Sequence, residues 1–396
     1  MFWKYLRSPA PDSPAETLPP KLKNYHFNFG VSDQFGWGIY GFNLVVEAYL
    51  QKLFVPIPLA GINFLIPLDP ISHRIFSDLE STWKSSPTIR TGDTVLVGLG
   101  NSGVQKLATE EKTKQIGLIF FEHNRLPEDE IKSLREFDLV VAGSTWNLDK
   151  LKEYGVDRSK LIIQGVNSEL FRPLPKRVLK DRFVVFSGGK LEYRKGQDLV
   201  VTAFSRFAEK HKDALLIASW NSPWGAAIAP SVNLSKMTKP IRITDDFAVS
   251  VANWVSDNGI DSGQFVDLGA VPNRFMPDVF READVAVFSN RCEGGTNLVA
   301  MEALSSGLAC IISKNTGHMD IIRPGNCLPL TLQRPVAPIE DFPVQEWGES
   351  DVDEIISHLE KAYTSPNIML PDAARSSVTG FTWSKAIRTL YDYAEM

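Results

Sequence analysis

Glu293 and Glu302 stand on either side of Gly294-Gly295-Thr296-Asn297-Leu298, a glycine turn that runs into apolar residues. Glycines let backbone approach a ligand with no Cβ in the way, and the first unpaired N–H groups of a following helix attract negative charge. Together they make an anion cradle. Two carboxylates beside it would repel a bare phosphate, so the ligand must also bring hydroxyls for them to accept from. A nucleotide diphosphate joined to a sugar has both parts.

Such a cradle needs a strand before it and a helix after it. Residues 285–288, β-branched and apolar, read as a buried parallel strand. Thr296 or Asn297 can N-cap a helix built on Leu298, Met301, Ala303 and Leu304, and Gly307 closes it. The same alternation runs along the chain. Strands are expected at 25–31, 94–99, 116–121, 139–144 and 161–164, then at 183–187, 214–219 and 264–268. Helices are expected at 42–50, 146–154, 198–211, 247–258, 275–281 and 384–394. Repeated βα units imply an α/β fold: two Rossmann-like domains with parallel sheets facing across a cleft, and ligands beyond the strands' carboxyl ends.

The boundaries follow from composition. A Pro-, Ser- and acid-rich leader covers 1–22, a first domain 23–172, a linker 173–182 and a second domain 183–378. Residues 379–396 end in an apolar-striped helix expected to pack back on the first domain. Glu122 and His123 close a first-domain strand, and the long irregular stretch 221–243 suggests a lid or a partner surface.

Gly36, Gly38 and Gly41 match the dinucleotide fingerprint G-x-G-x-x-G, which also wants an acid some twenty residues on to hold a ribose. Between Gln51 and Leu68 there is no Asp or Glu. The glycines fit better as a cleft-facing loop, with Gly38 able to approach a phosphate or an acceptor.

A chain of 396 residues, 43% hydrophobic, can bury two cores. Its net charge of −5 and pI near 5.8 argue against nucleic acid as a partner. Cys292, Cys310 and Cys327 lack metal-binding spacing and read as reduced thiols of a cytoplasmic protein. No apolar run reaches the roughly 18 residues a membrane span requires. The aromatic and basic start, Met1 to Arg7, points first to a disordered tail and second to peripheral membrane contact.

Taken together, several runs resemble family 4 retaining glycosyltransferases of the GT-B fold. In the second domain these are Gly188-Gly189-Lys190, Lys195-Gly196, Gly269-Ala270-Val271-Pro272, Glu293 to Leu298, and Glu302-Ala303. In the first they are Gly143-Ser144, Gly165-Val166-Asn167 and Phe171-Arg172-Pro173. The likeness is strong over residues 135–325 and weak before them. It implies that the first domain binds an acceptor, carbohydrate or lipid-linked, and the second a UDP- or GDP-linked sugar. Lys190 and Lys195 would grip the donor diphosphate together with Gly189. Glu293 would take sugar hydroxyls, and Glu302 the ribose. The amides of Gly294, Gly295, Thr296, Asn297 and Leu298 would meet phosphate and sugar, with Val271 and Pro272 near the base. His123 would face the reacting sugar, and His318 would line it. Two departures stand out: eight residues separate the acids where the family has seven, and Lys190 replaces an arginine, losing a bidentate fork while keeping the charge.

Sugar transfer breaks the bond between the anomeric carbon and the diphosphate, so preorganised cations and amides must meet the leaving group. A charged hydrogen bond contributes about 1.5–3 kcal/mol and a helix terminus about 0.3–1. Two lysines and a helix end thus supply part of the roughly 8–23 kcal/mol of catalysis. Closure of two domains on the acceptor supplies more. Neither a cofactor nor a metal is then expected. The sequence Asp351-Val352-Asp353, which could suggest a metal ligand, opens a helix and reads as its cap. Two rival readings are a nucleotide-sugar epimerase or phosphorylase of the same fold, and a non-enzymatic two-lobed protein that binds sugar or nucleotide.

Overall fold

The computed structural model of the protein describes residues 22–85, 88–101, 103–109, 112–123, 125–337, 346–365 and 371–396. The expected leader, 1–22, lies outside them except for Leu22.

The first lobe holds β1 (Asn24–Phe27), β2 (Val31–Ser32), α1 (Gly36–Leu50), β3 (Val55–Pro58), β4 (Ile62–Asn63) and α2 (Pro70–Ser85). It continues with β5 (Thr94–Leu99), β6 (Lys114–Ile119), α3 (Glu128–Glu136), β7 (Leu139–Ala142), α4 (Thr145–Glu153) and β8 (Ser159–Leu161). The second lobe opens with β9 (Phe183–Gly188), α5 (Gln197–Lys210), β10 (Ala214–Ser219), α6 (Gly225–Ile228), α7 (Phe247–Asp257) and β11 (Phe265–Asp267). Next come α8 (Met276–Phe280), β12 (Val285–Phe288), α9 (Leu298–Ser305), β13 (Ala309–Ser313) and β14 (Leu328–Leu330). The chain closes with β15 (Gln333–Pro335), β16 (Gly348–Ser350), α10 (Val352–Thr364), α11 (Pro371–Ser376) and α12 (Trp383–Glu395).

Each lobe carries a six-stranded sheet, ordered β3-β1-β5-β6-β7-β8 in the first and β11-β10-β9-β12-β13-β14 in the second. Their neighbouring strands run parallel. The order decides where a ligand sits. From β9 the chain steps to β10 and β11 on one side, then crosses to β12 on the other. The loops after β9 and β12 therefore part at the carboxyl edge and leave a crevice, the usual ligand position in such sheets. The first lobe has the same reversal between β1 and β5.

Both sheets are covered on two faces, so their central strands are apolar throughout. Leu199, Phe204 and Trp254 cover one face of the second sheet, and Met301, Leu304 and Phe280 the other. In α12, Trp383, Ala386, Ile387, Leu390 and Ala394 recur at helical spacing and are buried. That stripe joins Leu44 and Val45 of α1 in the first lobe's core, and Tyr25 donates to Glu395 at 2.7 Å.

Several expected bounds shift. The stretch 25–31 divides into β1 and the separate short strand β2, and 221–243 contains α6 and a 3-10 turn at Ala229–Leu234. One expectation is overturned: the glycines of 36–41 form the first turns of α1, not a loop. A Cβ on Gly38 would lie 2.5 Å from Ser32 Cβ, and one on Gly41 2.4 Å from Gly30 O. Here glycine serves close packing of the helix on the preceding chain. Among the described residues, no helix is long and apolar enough to cross a membrane.

Candidate active site

The two crevices meet in one cleft of about 400 Å³. Its second-lobe wall is made by loops after β9, β10, β11 and β12, and its first-lobe wall by the start of α1 and the ends of β5 and β6. Parallel pairing of β9 with β12, with Ala286 opposite Phe186, sets the loops carrying Lys195 and Glu293 side by side. They are laced together: Arg291 N donates to Arg194 O at 2.7 Å, and Ser289 Oγ to Gly196 O at 2.8 Å. Gly196 has φ 71°, and a Cβ there would lie 2.2 Å from Ser289 O, so the turn accepts only glycine.

Around these loops three cations and three carboxylates cluster, with Arg194, Glu192 and Glu293 buried and Lys190, Lys195 and Glu122 half-buried. Lys195 Nζ donates to Glu293 Oε1, as does Asn290 Nδ2, and Arg194 Nη1 lies 3.3 Å from the same oxygen. Arg194 also pairs with Glu192, and reaches Glu122 of the first lobe at 3.3 Å. Lys190 stands at the mouth, 3.4 Å from Glu192. Burial alone would raise the pKa of Glu293, but Lys195 and Arg194 outweigh it and hold the carboxyl near 2. Burial draws Lys195 below the ordinary lysine value, with Glu293 opposing. Lys195 is therefore a desolvated cation, available to a stronger anion. All the contacts above fall on Glu293 Oε1.

Further along the wall, Glu302 is buried in α9 and faces the cleft. Among the described residues its one hydrogen-bond donor is Asn273 Nδ2, at 2.6 Å from Oε1. With no cation beside it, burial pushes its pKa up to about 8. At neutral pH this carboxyl is largely protonated, so it can both donate a hydrogen bond to a hydroxyl and accept one. Val271 lines the same end, and Pro272 opens the turn bearing Asn273.

The start of α9 is shaped from behind. Asn297, in the left-handed region at φ 62°, caps the helix through Oδ1 to Ala300 N. Its Nδ2 donates to His318 Nε2 at 3.1 Å, while His318 Nδ1 meets Ser313 O at 3.0 Å. These partners require Nδ1–H and a bare Nε2, a neutral ring. Burial pushes its pKa down to about 4. His318 is wholly buried and does not reach the cleft. It is a brace for Asn297.

Lys190, Lys195, Gly189, Val271, Glu293, Gly295, Asn297, Leu298 and Glu302 are brought together on the cleft wall. Others are not. Gly38 sits inside α1, and Thr296 is buried with its hydroxyl on Met301 Sδ at 3.0 Å. Gly294 packs on the other lobe: Ser144 Oγ donates to its carbonyl at 2.6 Å, and a Cβ there would lie 2.3 Å from Phe120 O. His123 is half-buried beside Glu122 and does not line the cleft; burial lowers its pKa, with Glu122 opposing. Arg194, Asn273 and Asn290 join the site unforeseen; Arg194 is masked in sequence by its neighbour Lys195. The Asp351 reading is seen directly, its side chain accepting from Asp353 N and Glu354 N. Among the described residues no group of three or more His, Cys, Asp or Glu is arranged to hold a metal.

Residues 181–338 match the family model described as Glycosyl transferases group 1. The mannosylfructose-phosphate synthase of Agrobacterium fabrum is 27% identical over 211 residues, a match covering 50% of this chain and 42% of that protein. The chain thus spans less than half the length of this curated relative. Trehalose-6-phosphate synthase OtsA superposes with TM-score 0.64 at 10% identity, covering 94% of this chain and 99% of its own. Sucrose-phosphate synthase of Thermosynechococcus elongatus does so with TM-score 0.62 at 13%, covering 93% and 97%. For Anabaena HepE, in complex with UDP-glucose, the values are 0.62 and 12%, covering 94% and 98%. At such identities the likeness is one of fold. The match to the group 1 glycosyl transferase model lies in the second lobe, and the chain has the GT-B fold of these structures.

Proposed function

We propose that the chain is a retaining, metal-independent glycosyltransferase. It moves a sugar from a UDP- or GDP-linked donor to a hydroxyl of a carbohydrate, free or lipid-linked. The observation that carries this reading is one shared cleft. Lys190 and Lys195 face the same space as Glu293, Glu302 and the amide end of α9. Cations and amides suit a diphosphate, the two acids suit hydroxyls of sugar and ribose, and the first lobe closes over them. Relatives named as sugar-phosphate synthases, and HepE held with UDP-glucose, support a nucleotide-sugar donor.

In the proposed step the acceptor oxygen forms a bond to the anomeric carbon as the bond to diphosphate breaks. The acceptor proton passes to a diphosphate oxygen on the same face, which gives retention. Glu293, tied into two ion pairs and held acidic, is a poor base or nucleophile. Its role is to bind hydroxyls. Lys195 exchanges Glu293 for the diphosphate as charge grows there. The test offers UDP- and GDP-sugars in turn and follows nucleoside diphosphate release, with the product anomer read by NMR. Turnover with retained configuration is expected; binding without turnover, or an inverted product, would overturn the reading.

A further inference from the structure

The two walls of the cleft differ in charge. All three cations that line it, Lys190, Arg194 and Lys195, belong to the second lobe, and each faces a carboxylate. Among the described residues, the first-lobe wall carries no lysine, arginine or histidine. It offers two acids, Asp33 and Glu122, and the amides of Gln34, Asn101 and Gln164. Asn101 Nδ2 donates to Glu122 Oε2 at 2.7 Å, which fixes that carboxylate at the wall.

The same wall also carries three aromatic rings, Phe35, Trp37 and Phe120. Trp37 and Phe120 meet edge to face, with centroids 5.0 Å apart and planes at 82°, and both line the cleft. A sugar ring has an apolar face of C–H groups and a rim of hydroxyls. The aromatic corner fits the face, while carboxylates and amides fit the rim. A phosphate monoester, carrying nearly two negative charges at neutral pH, would meet Asp33 and Glu122 there; the cation beside Glu122, Arg194 at 3.3 Å, is already shared with Glu192 and Glu293.

Resting on the transferase reading above, we infer that the acceptor is an uncharged sugar or glycan end, bound on Trp37 and Phe120, and not a phosphorylated sugar. The first lobe selects against phosphate by the sign of its charge.

The test uses the full chain with whichever nucleoside diphosphate sugar it hydrolyses. Nucleoside diphosphate release is followed with glucose, fructose, mannose, lactose or maltose, and separately with phosphomonoesters of the same hexoses. A neutral sugar is expected to raise release above the hydrolytic background. The matching phosphomonoester should be at least about tenfold poorer in kcat/KM, the effect of one poorly screened like-charge pair. Gln34→Lys, adding a cation to the same wall, should narrow that ratio, whereas simple damage would lower both sugars alike. A phosphomonoester that equals or exceeds its neutral counterpart overturns the inference. So does a donor that is hydrolysed yet is stimulated by neither class. If no donor is hydrolysed and no acceptor provokes release, the transferase reading itself fails, and the inference falls with it.

Discussion

Lys195 and Glu293, separated by 98 positions in the chain, are joined Nζ to Oε1 at the base of the cleft. The cation proposed for the leaving group and the acid proposed for the sugar are thus each other's partner before any ligand arrives. Binding a diphosphate must compete with that pair.

Glu293→Ala is therefore expected to separate two properties. Lys195 loses its partner, so binding of a bare nucleoside diphosphate should hold or strengthen. Transfer should fall by about 100-fold or more, since loss of one donor or acceptor that orients a transition state typically costs that much. Titration calorimetry with UDP and GDP, beside a transfer assay, checks both. A nucleoside diphosphate affinity that drops with transfer would speak against the competition.

On the proposed reading, Glu302 should link donor binding to pH. Its carboxyl has a pKa near 8 in the fold against the ordinary 4.5. Between these values the folded protein holds a proton that the unfolded chain has released. Stability from this group is fully present below pH 4.5 and is lost as pH rises through 8. Glu302→Gln removes the dependence. Its unfolding free energy should match the parent near pH 4.5 and exceed it above pH 8, by at most about 5 kcal/mol. Donor affinity in the parent should rise with pH as the carboxylate forms, and stay flat in the variant. A variant that tracks the parent at both ends would contradict this.

Gly294 is one of the points where the lobes touch. An alanine there would set its Cβ 2.3 Å from Phe120 O and 2.5 Å from Phe121 O. Gly294→Ala should hold the lobes apart, enlarge the radius of gyration in small-angle scattering, and lower kcat/KM by about 100-fold through lost alignment. An unchanged radius with normal activity would show that the contact can yield.

Arg291 braces the site without facing it. Fully buried, it holds Asp198 at 2.8 and 2.6 Å and Glu349 at 2.8 Å, and its guanidinium lies 3.9 Å from the Tyr193 ring centroid. Arg291→Met leaves Asp198 buried without its partner and should cost about 3–5 kcal/mol in denaturant unfolding. Adding Asp198→Asn should restore part of that loss. Strict additivity would contradict a coupled pair.

Much of this architecture is legible in the chain because buried parallel strands are continuous apolar runs. Residues 94–99, 214–219 and 285–288 read correctly for that reason. The helix start was legible too: of the two caps the sequence offers, Thr296 and Asn297, it is Asn297 that caps α9. What escaped depends on packing between distant segments. Nothing local says that Gly38 lies inside a helix, because Phe35 caps α1 with no side-chain hydrogen bond. His318 looks like a polar residue near the sugar, but Gly317 lets its turn fold close under the cradle, where a Cβ would lie 1.7 Å from Gly295 O, and the ring ends in the interior. Arg194 reads as one more surface charge until three carboxylates from separate segments converge on it.

The most direct measurement is kcat for donor cleavage by Lys195→Ala, at saturating donor and with EDTA present throughout. Fixed protein cations as the means of stabilising the departing diphosphate predict a fall of at least about 100-fold, no effect of EDTA on the parent, and an unchanged fold by circular dichroism. A variant within a few-fold of the parent, or a parent silenced by EDTA and restored by a divalent ion, would contradict it.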